Sequence, residues 1–477
     1  MDIEANKMDE LVVIIPALAG VIAYFIKGKL TRYIPFIAAI IQVIITAYIF
    51  IEPSQVILLK NYIFITPLGK IVLGIISLLF LMVSYYSIDY FKNSNYESEH
   101  IYSSMLLFFV SAMSLTAISD HIILTWIAIE ATTISSAPLI FLHKTRDSVM
   151  ATWKYIITCS VGISLALLGS FIILQSFTQP IQVSGLLFSN LMAYTGTINP
   201  LWFLVGFVFI LIGYGTKVGL APMHIWLSDA HGEAPSPASA LLSGALLNCA
   251  FLPIYKINVL AGYLNLGEIT GKMMIALGLF SVFVAAAFMP AQKDYKRLLA
   301  YSSIENMGII VLGAGIGGIA LLGSIFHMIN HSLIKCALFL ATGNMLLQYG
   351  TKDISKVKNF FKLLPKTAFA FTLGAIGISG FPPFGLFLSE LLIIFGAFTG
   401  HYYAVGFLFI IALILVIVGF SKKIIQICYS ESEECNIKPM KESFGLYAPS
   451  LIMLFISLII TAIMFSSYQD YILNFIQ

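Results

Sequence analysis

Charged residues are scarce in this chain, since they make up 10% of its 477 residues whereas soluble domains carry roughly 25%. Hydrophobic residues make up 59%, and the mean hydropathy is +0.95. This composition excludes an ordinary soluble protein, and the long apolar runs predict membrane-spanning helices of about 20 residues each. The net charge of +3 says little about partners, and we expect the lipid bilayer and H⁺ or Na⁺ rather than a nucleic acid.

The sequence also lacks the patterns that hold redox centres and nucleotides. Its five cysteines form no C-x-x-C pair, so neither an iron–sulfur site nor a zinc ribbon is supported; they are Cys159, Cys249, Cys336, Cys428 and Cys435. There is no Walker A loop and no dinucleotide fingerprint. The acidic start, residues 1–10, lacks the basic region of a cleavable signal. We therefore expect no cofactor and no metal in this chain, and no catalytic redox activity from it alone.

Apolar runs recur along the whole chain and predict an all-α polytopic membrane protein. Fourteen spans are expected, near 10–26, 33–51, 70–91, 101–119, 122–143, 153–176, 201–222, 235–260, 272–290, 298–316, 318–347, 366–397, 402–421 and 446–470. The connecting segments are too short for separate soluble domains. The chain is therefore predicted to form a single transmembrane domain over residues 1–477.

The lysines and arginines, 26 in total, are distributed unevenly between the two sides of this arrangement. Eighteen lie in loops of one side, and only Lys7, Lys60, Lys70 and Lys272 lie on the other. The positive-inside rule places the richer side in the cytoplasm, which predicts a cell-membrane protein with both termini outside. The remaining four cations lie within predicted spans and are not explained by orientation: Lys154, Lys217, Lys256 and Lys335.

Residues 213–244 combine a lysine with a helix break inside an apolar region. Lys217 and His224 flank Pro222, which lacks a backbone N–H and should end the helix that carries the lysine. Broken helices at membrane depth are tolerated where they line a cavity or are buried in protein. The pattern therefore favours an ion-transport site, the alternative being a loop with a lysine that reaches the membrane surface.

Glu130 lies in the middle of a predicted span, nine residues from His121. Burial would favour the neutral form of a lone carboxyl group, so Glu130 could exchange protons. Lys217 is the obvious counter-charge, although the sequence does not prove contact. The alternative is a neutral glutamate bonded to a neighbouring helix.

His327, His331 and Lys335 follow one another at intervals of four residues. Helical geometry places them on one face, over roughly 12 Å, which predicts a ladder of proton-exchanging groups. Two alternatives are a metal site, since H-x-x-x-H is a ligand spacing, and two histidines that are hydrogen-bonded in the core.

A second break with an ionisable group occurs near residue 383. Pro382 and Pro383 interrupt a span, and Glu390 follows about two turns later. Interruptions in two halves suggest an internal repeat with a pathway at the midplane. Lys154 at a span entrance and Glu305 near the cytoplasmic entrance are further relay candidates, with a membrane-surface lysine and a helix-end ion pair as the alternatives.

Four strings in order, APMHIWLSDAHGEAPSPASALLSG, QKDYKRLLAYSSIENMG, NHSLIKCALFLATGNM and GFPPFGLFLSE, resemble the proton-conducting subunits of respiratory complex I, Mrp-type antiporters and group 4 membrane-bound [NiFe] hydrogenases. The resemblance covers roughly residues 70–425. It implies fourteen helices, two inverted five-helix repeats (about 101–260 and 272–421), and broken helices 7 and 12. It also implies proton-transfer roles for residues on helices 5, 7, 11 and 12, which here are Glu130, Lys217, His331, Lys335 and Glu390.

Two positions depart from the common pattern of these families. Ile129 stands where complex I and Mrp members usually place tryptophan, and the strings ATTISSAPL and ATWKYIITCSVGISLALLGSF are similar to the hydrogenase-4 and formate hydrogenlyase branch. Asn248 stands where relatives often carry a lysine. An amide is not protonated near neutral pH, so water, Asn248 as an orienting group, or Lys256 would have to fill that gap.

These observations predict a proton-translocating, antiporter-like membrane subunit of a membrane-bound hydrogenase complex. Electron transfer would take place in partner subunits, which would carry the [NiFe] and iron–sulfur clusters. A complex I-like or Mrp-type Na⁺/H⁺ setting is the alternative within the same class, with H⁺ or Na⁺ as the ion. A passive membrane scaffold for a peripheral enzyme is the alternative from another class.

Overall fold

The computed structural model describes residues 8–51, 62–94, 98–178, 186–194, 196–432 and 438–476. Helices dominate these residues, and the only β contacts among them are isolated bridges, so the all-α prediction is confirmed. The helices are α1 (Met8–Phe25), α2 (Ile34–Ile51), α3 (Pro67–Lys92), α4 (Glu99–Ile118), α5 (Ile122–Ile140), α6 (Arg146–Gln175), α7 (Phe188–Met192), α8 (Pro200–Val218), α9 (Ile225–Glu233), α10 (Ser236–Leu241), α11 (Leu247–Tyr263), α12 (Gly267–Phe288), α13 (Tyr295–Ile316), α14 (Gly318–Tyr349), α15 (Phe360–Leu363), α16 (Pro365–Ile378), α17 (Gly385–Thr399), α18 (Tyr403–Tyr429) and α19 (Phe444–Ile476).

Twelve helical segments of the described residues are long and apolar enough to cross a membrane. A π-helical turn, Leu242–Leu246, joins α10 and α11 into one of them. Helices α16 and α17 have 14 and 15 residues, which are too few for either helix to cross a membrane alone. Helix α1 carries two acidic residues in its first turn. A multi-pass membrane protein is therefore confirmed, whereas the count of fourteen spans stays a prediction.

Short polar residues begin several helices, and glycines end others. Asn199 begins α8 by accepting a hydrogen bond from the Leu201 amide at 3.1 Å, and Asp294 begins α13 by accepting one from the Lys296 amide at 2.7 Å. Gly219 ends α8 in the left-handed region, with φ of 85°, a conformation that costs glycine little. These ends set the lengths of the helices that carry the ionisable residues.

Glycines allow two helix pairs to pack with their backbones in contact. In the α6–α8 pair, a Cβ atom at Gly213 would lie 2.5 Å from the Ala166 nitrogen, and in the α12–α13 pair one at Gly278 would lie 2.6 Å from the Gly308 oxygen. Small residues are typical of membrane helix interfaces because they allow this close approach. The 32-residue helix α14 packs against α3, α10, α13, α16, α17 and α19, so its side chains lie at the centre of the bundle.

The basic loops collect at one end of the bundle, here named the lysine-rich face and defined by residues 143–146, 289–294, 350–359 and 430–432. They are connected by backbone hydrogen bonds, such as those from the Tyr295 amide to the Lys352 oxygen (3.1 Å) and from the Ile354 amide to the Lys293 oxygen (2.8 Å). The other end, the opposite face, comprises residues 62–66, 119–121, 186–194, 196–199, 263–266 and 400–402. Lys7, Lys60, Glu433, Glu434 and Cys435, as well as both chain ends, lie outside the described residues.

Candidate functional site

Glu130 lies in the third turn of α5, partly exposed towards α6. Its carboxylate accepts hydrogen bonds from Ser160 at 2.7 Å and from Thr133 at 3.3 Å. The side chain also lines a cavity of about 430 Å³ between α5 and α6, together with Ile134 and Pro138. The carboxylate is therefore held by hydroxyl groups rather than by a cation.

Lys217 is fully buried one residue before the end of α8. Its Nζ atom donates to Thr133 Oγ1 at 2.8 Å and to Tyr155 Oη at 2.6 Å, and lies 4.6 Å from the centre of the tyrosine ring. Thr133 thus contacts both Lys217 and Glu130. Within the described residues the two groups form no direct ion pair, and a threonine hydroxyl connects them.

The helix break between α8 and α9 is stabilised by side chains. Trp226 donates to the Thr216 oxygen at 2.8 Å, and Ser281 accepts from the Ala221 amide at 3.0 Å. The backbone groups that the break releases from helical bonding thereby gain partners. His224, just before α9, is buried with its Nδ1 atom unpartnered among the described residues.

The three residues of the α14 ladder are all fully buried, but their partners differ. The two ring nitrogens of His327 lie 2.8 Å from Ser389 Oγ and 2.9 Å from Asn306 Oδ1. Neither ring nitrogen of His331 has a partner among the described residues. Lys335 donates to the Leu299 oxygen at 2.5 Å and to the Ser302 hydroxyl. His327 is thus held in place, whereas His331 retains a free donor and a free acceptor.

Glu390 and Glu305 lie near this ladder in the interior. The Glu390 carboxylate packs against Gly380 in the break between α16 and α17, where a Cβ atom would lie 2.4 Å from its Oε2 atom. Glu305 is buried in the third turn of α13 and interacts electrostatically with Lys335, and Glu390 interacts with Glu305. Glu305, a sequence candidate for the cytoplasmic entrance, is thus 3% exposed and close to Lys335.

Asn248 and Lys256 occupy different ends of α11. Asn248 donates to the Gly244 oxygen at 2.9 Å and to Ser332 Oγ at 2.8 Å, next to His331, and its Oδ1 atom has no partner among the described residues. Lys256 lies eight residues further on, about 12 Å along the helix, and donates to the Ser119 oxygen at 2.6 Å. Of the two, Asn248 is therefore the one next to the α14 ladder.

Lys256 belongs to a buried cluster at the opposite face. Its Nζ atom lies 5.0 Å from the centre of the Phe188 ring. Asp120 beside it accepts hydrogen bonds from the Ser189 hydroxyl and amide. Burial raises the pKa of Asp120, and the Ser189 bonds and Lys256 oppose that rise. Lys256 thus connects α11 to the loops of this face.

Lys154 lies at the surface rather than in the interior. Its side chain is 55% exposed and forms an ion pair with Asp229 at 2.8 Å, and Asp229 also pairs with Arg297 at 2.9 Å. The expected alternative, a lysine that reaches the membrane surface, therefore fits its position.

Sequence reasoning missed three residues that the structure places at these clusters. Thr133 and Tyr155 contact Lys217, and His231 on α9 stacks on Phe339 with both ring nitrogens unpartnered among the described residues. His231 interacts electrostatically with Lys335. The sequence offered a signal for His231, because it lies seven residues after His224 in the same 213–244 segment. It offered none for the hydroxyl groups of Thr133 and Tyr155.

No group of three or more histidines, cysteines, aspartates and glutamates within the described ranges is arranged to hold a metal ion. His327 is hydrogen-bonded to a serine and an asparagine, and His331 has no hydrogen-bond partner among the described residues, so neither has an acidic or thiol ligand bonded beside it.

Comparison with known proteins gives one family and several relatives. The family model "NADH:quinone oxidoreductase/Mrp antiporter, TM" matches residues 119–416. The chain is 39% identical to "Hydrogenase-4 component F homolog" of Methylacidiphilum infernorum (isolate V4), over 63% of this chain and 64% of the relative. It is 30% identical to "Hydrogenase-4 component B" of Escherichia coli (strain K12), over 66% of this chain and 48% of the relative. The chain thus spans less than two thirds of the length of these relatives.

The fold is also similar to that of a solved membrane complex. A chain of the membrane-bound sulfane sulfur reductase (MBS), described as an archaeal respiratory membrane complex, superposes with a TM-score of 0.86 at 22% identity. The match covers 97% of this chain and 96% of that one. At this identity the likeness concerns the fold alone.

Proposed function

Because the chain belongs to the NADH:quinone oxidoreductase/Mrp antiporter transmembrane family, we propose that it is the proton-translocating, antiporter-like membrane subunit of a multisubunit membrane-bound hydrogenase complex. One observation carries the proposal. Two helix breaks, α8–α9 and α16–α17, each lie beside a buried ionisable side chain, Lys217 and Glu390. Buried charges at broken helices are costly in a membrane and mark ion pathways.

The hydrogenase setting follows from the relatives. Two of them are named as hydrogenase-4 components, and this chain alone has no pattern for a redox centre. We therefore assign electron transfer to partner subunits that carry [NiFe] and iron–sulfur clusters. The partners would be other membrane and peripheral subunits of the same assembly.

In this proposal, electron transfer in the partners shifts the protonation of Glu130, Lys217, Lys335 and Glu390, and protons then cross the membrane. The hydroxyl contact of Thr133 with both Glu130 and Lys217 supports exchange between these two groups. His331 supports exchange beside Lys335, because both its ring nitrogens are unpartnered among the described residues. His224 and His327 complete the set of proton-transfer residues.

Four further residues were candidates for relay roles. We assign Glu305 to the route beside Lys335, and Asn248 to the orientation of groups next to His331 through Ser332. Lys256 would act at the opposite face, and Lys154 at an ion pair on the surface. The two halves that contain the breaks, about 101–260 and 272–421, are proposed to be inverted repeats within one transmembrane domain.

A complex I-like or Mrp-type Na⁺/H⁺ antiporter setting is the second candidate, because the family model is named for both. A passive scaffold is disfavoured because Lys217 and Lys335 are fully buried. Burial of a lysine in a membrane protein is costly, and a scaffold would have no use for it.

The proposed assembly can be tested by purification of the native complex from the membrane. We expect a hydrogenase subunit and iron–sulfur proteins to co-migrate with this chain, and nickel and iron to be found in the complex but not in the isolated chain. Co-migration with only small antiporter subunits, without nickel, would favour the Mrp-type setting. Migration of the chain with no partner would contradict both.

The proposed orientation places the lysine-rich face in the cytoplasm, since most basic loop residues lie there. Two cysteine substitutions in a Cys435→Ser background test it, namely Tyr263→Cys on the opposite face and Lys356→Cys on the lysine-rich face, because both side chains are exposed. The four described native cysteines are buried. In intact cells, an impermeant maleimide is expected to label position 263 and not 356. The reverse pattern would overturn the orientation.

A further inference from the structure

A cavity of about 540 Å³ opens on the lysine-rich face, where the ends of α3, α5 and α14 meet. Asn93 lines it from the end of α3, His143 and Lys144 from the end of α5, and Leu347 and Gly350 from the end of α14. It is large enough for several water molecules, and its lining supplies polar partners for them. None of the proton-transfer residues predicted from the sequence lines this cavity.

His143, in the wall of the cavity, is within electrostatic range of a group of charges in which Lys296 is buried and the Glu233–Lys352 pair is partly exposed. It interacts electrostatically with Lys296, Glu233 and Lys352. Glu233 forms an ion pair with Lys352 at 2.6 Å, and Lys352 also donates to the Gly232 oxygen at 3.0 Å. Lys296 is 1% exposed and donates to the Ala234 oxygen. Ionisable groups of α5, α9, α13 and the 350–359 loop thus meet directly behind the cavity.

The series of ionisable groups continues from there to the centre of the bundle. Lys296 interacts electrostatically with His231, and His231 with Lys335. Lys335 in turn interacts with Glu305, and Glu305 with Glu390. His231 has two buried ring nitrogens without a partner among the described residues, and buried polar atoms of this kind usually bind ordered water.

We propose that this cavity is the proton-intake site of the chain, and that His143 is the first group that takes up protons from water there. The proposal rests on the proposed function, since it deepens the route to Lys335. One ring nitrogen of His143 accepts a proton from water in the cavity, and the other releases a proton towards the Glu233, Lys352 and Lys296 group. The neutral ring is then restored, so no net charge remains on His143.

The charges around His143 suit a group that carries a proton only briefly. Burial, and then the positive charges of Lys296 and Lys352, lower the pKa of His143 to about 4, and Glu233 opposes that shift. The imidazole is therefore neutral at rest and gives up quickly any proton that it accepts. A histidine with only a packing role would require neither the water-accessible cavity nor the charged group beside it.

The test uses the assembled complex in inverted vesicles, with the lysine-rich face outward and the membrane potential as the readout. In His143→Ala, charge translocation per electron is expected to fall by roughly 100-fold, the lower end of the effect of a positioned acid–base group. Imidazole in the outer medium is expected to restore part of it, because the open cavity admits a small base. His401→Asn on the opposite face is the matched control, with no change expected.

A second variant covers the case in which His143→Ala does not assemble. Leu347→Cys, in a Cys435→Ser background, places a thiol in the cavity wall, and a benzyl methanethiosulfonate reagent then fills the cavity reversibly. Charge translocation is expected to fall on modification and to return with a reductant. Ser355→Cys, exposed on the same face, is the control for modification outside the cavity.

The outcomes separate the two proposals. Normal charge translocation in both His143→Ala and modified Leu347→Cys would overturn the intake site while the proposed function stands. Loss of translocation in His143→Ala without rescue, with no effect of modification at position 347, would assign His143 a structural role and also overturn it. An unmodified complex that transfers electrons without forming a potential would contradict the proposed function itself, and the intake site with it.

Discussion

Replacement of Lys217 by alanine is expected to reduce proton translocation per electron by roughly 100-fold or more, with assembly preserved. Lys217 is the cation that faces Glu130 through Thr133, so its removal takes away one of the two groups that exchange a proton. The fold should survive, because Tyr155 keeps its hydrogen bond to Ser136 at 2.6 Å and Glu130 keeps that from Ser160. No buried charge is left without a partner.

The measurement is ΔpH formation in vesicles that contain the assembled complex, normalised to the rate of electron transfer in the partner subunits. Glu130→Gln is expected to impair ΔpH in the same way, and Glu130→Asp to give an intermediate value because its shorter side chain reaches less far. Lys272→Ala is the matched lysine control, since its side chain is 58% exposed and pairs with Glu268 within one helix. Normal ΔpH in both Lys217→Ala and Glu130→Gln would show that the pair is not the coupling element.

Thr133 offers a sharper version of this experiment, because it can be changed without a change of charge. Thr133→Val removes the hydroxyl that contacts both Lys217 and Glu130 and nearly conserves the volume, so ΔpH is expected to fall by roughly 100-fold, at the lower end of proton-transfer effects. Thr133→Ser keeps the hydroxyl and should retain coupling. Equal coupling in the two variants would mean that Glu130 and Lys217 exchange protons by another route.

The sequence was sufficient to single out several buried ionisable residues but not the groups that connect them. Lys217, Lys335 and Glu390 could be found because a charge is rare in an apolar run, and a proline marks a helix break near Lys217 and near Glu390. Thr133 and Tyr155 could not, because hydroxyl residues are common in membrane helices and their contacts depend on how α5, α6 and α8 pack together.

The surroundings of the relay candidates could not be predicted from the sequence. Glu305, a candidate for the cytoplasmic entrance, is buried in the third turn of α13, and Lys256, a candidate to fill the gap at Asn248, lies by the opposite face. His231 was passed over because a histidine near a helix break is ordinary until its two unpartnered nitrogens are seen.

Replacement of Lys335 is expected to have the second large effect, and two substitutions distinguish its possible roles. Lys335→Met removes the charge and keeps much of the side-chain length, whereas Lys335→Arg keeps the charge but cannot release a proton, because arginine stays protonated in proteins. If Lys335 exchanges protons with Glu305 and His331, both variants lose translocation by roughly 100-fold. If it only supplies a fixed charge, the arginine variant remains active.

The readout is again proton translocation per electron in vesicles, after assembly of each variant has been verified by its co-migration with partners. His331→Ala combined with Lys335→Ala is expected to uncouple or block translocation in an assembled complex, because it removes the two adjacent ladder groups. Lys272→Arg on the opposite face serves as the control for the arginine substitution and should change nothing. Translocation at the normal rate in Lys335→Arg would mean that Lys335 supplies a fixed charge and does not exchange protons. Normal translocation in the double variant would mean that His331 and Lys335 have only a packing role.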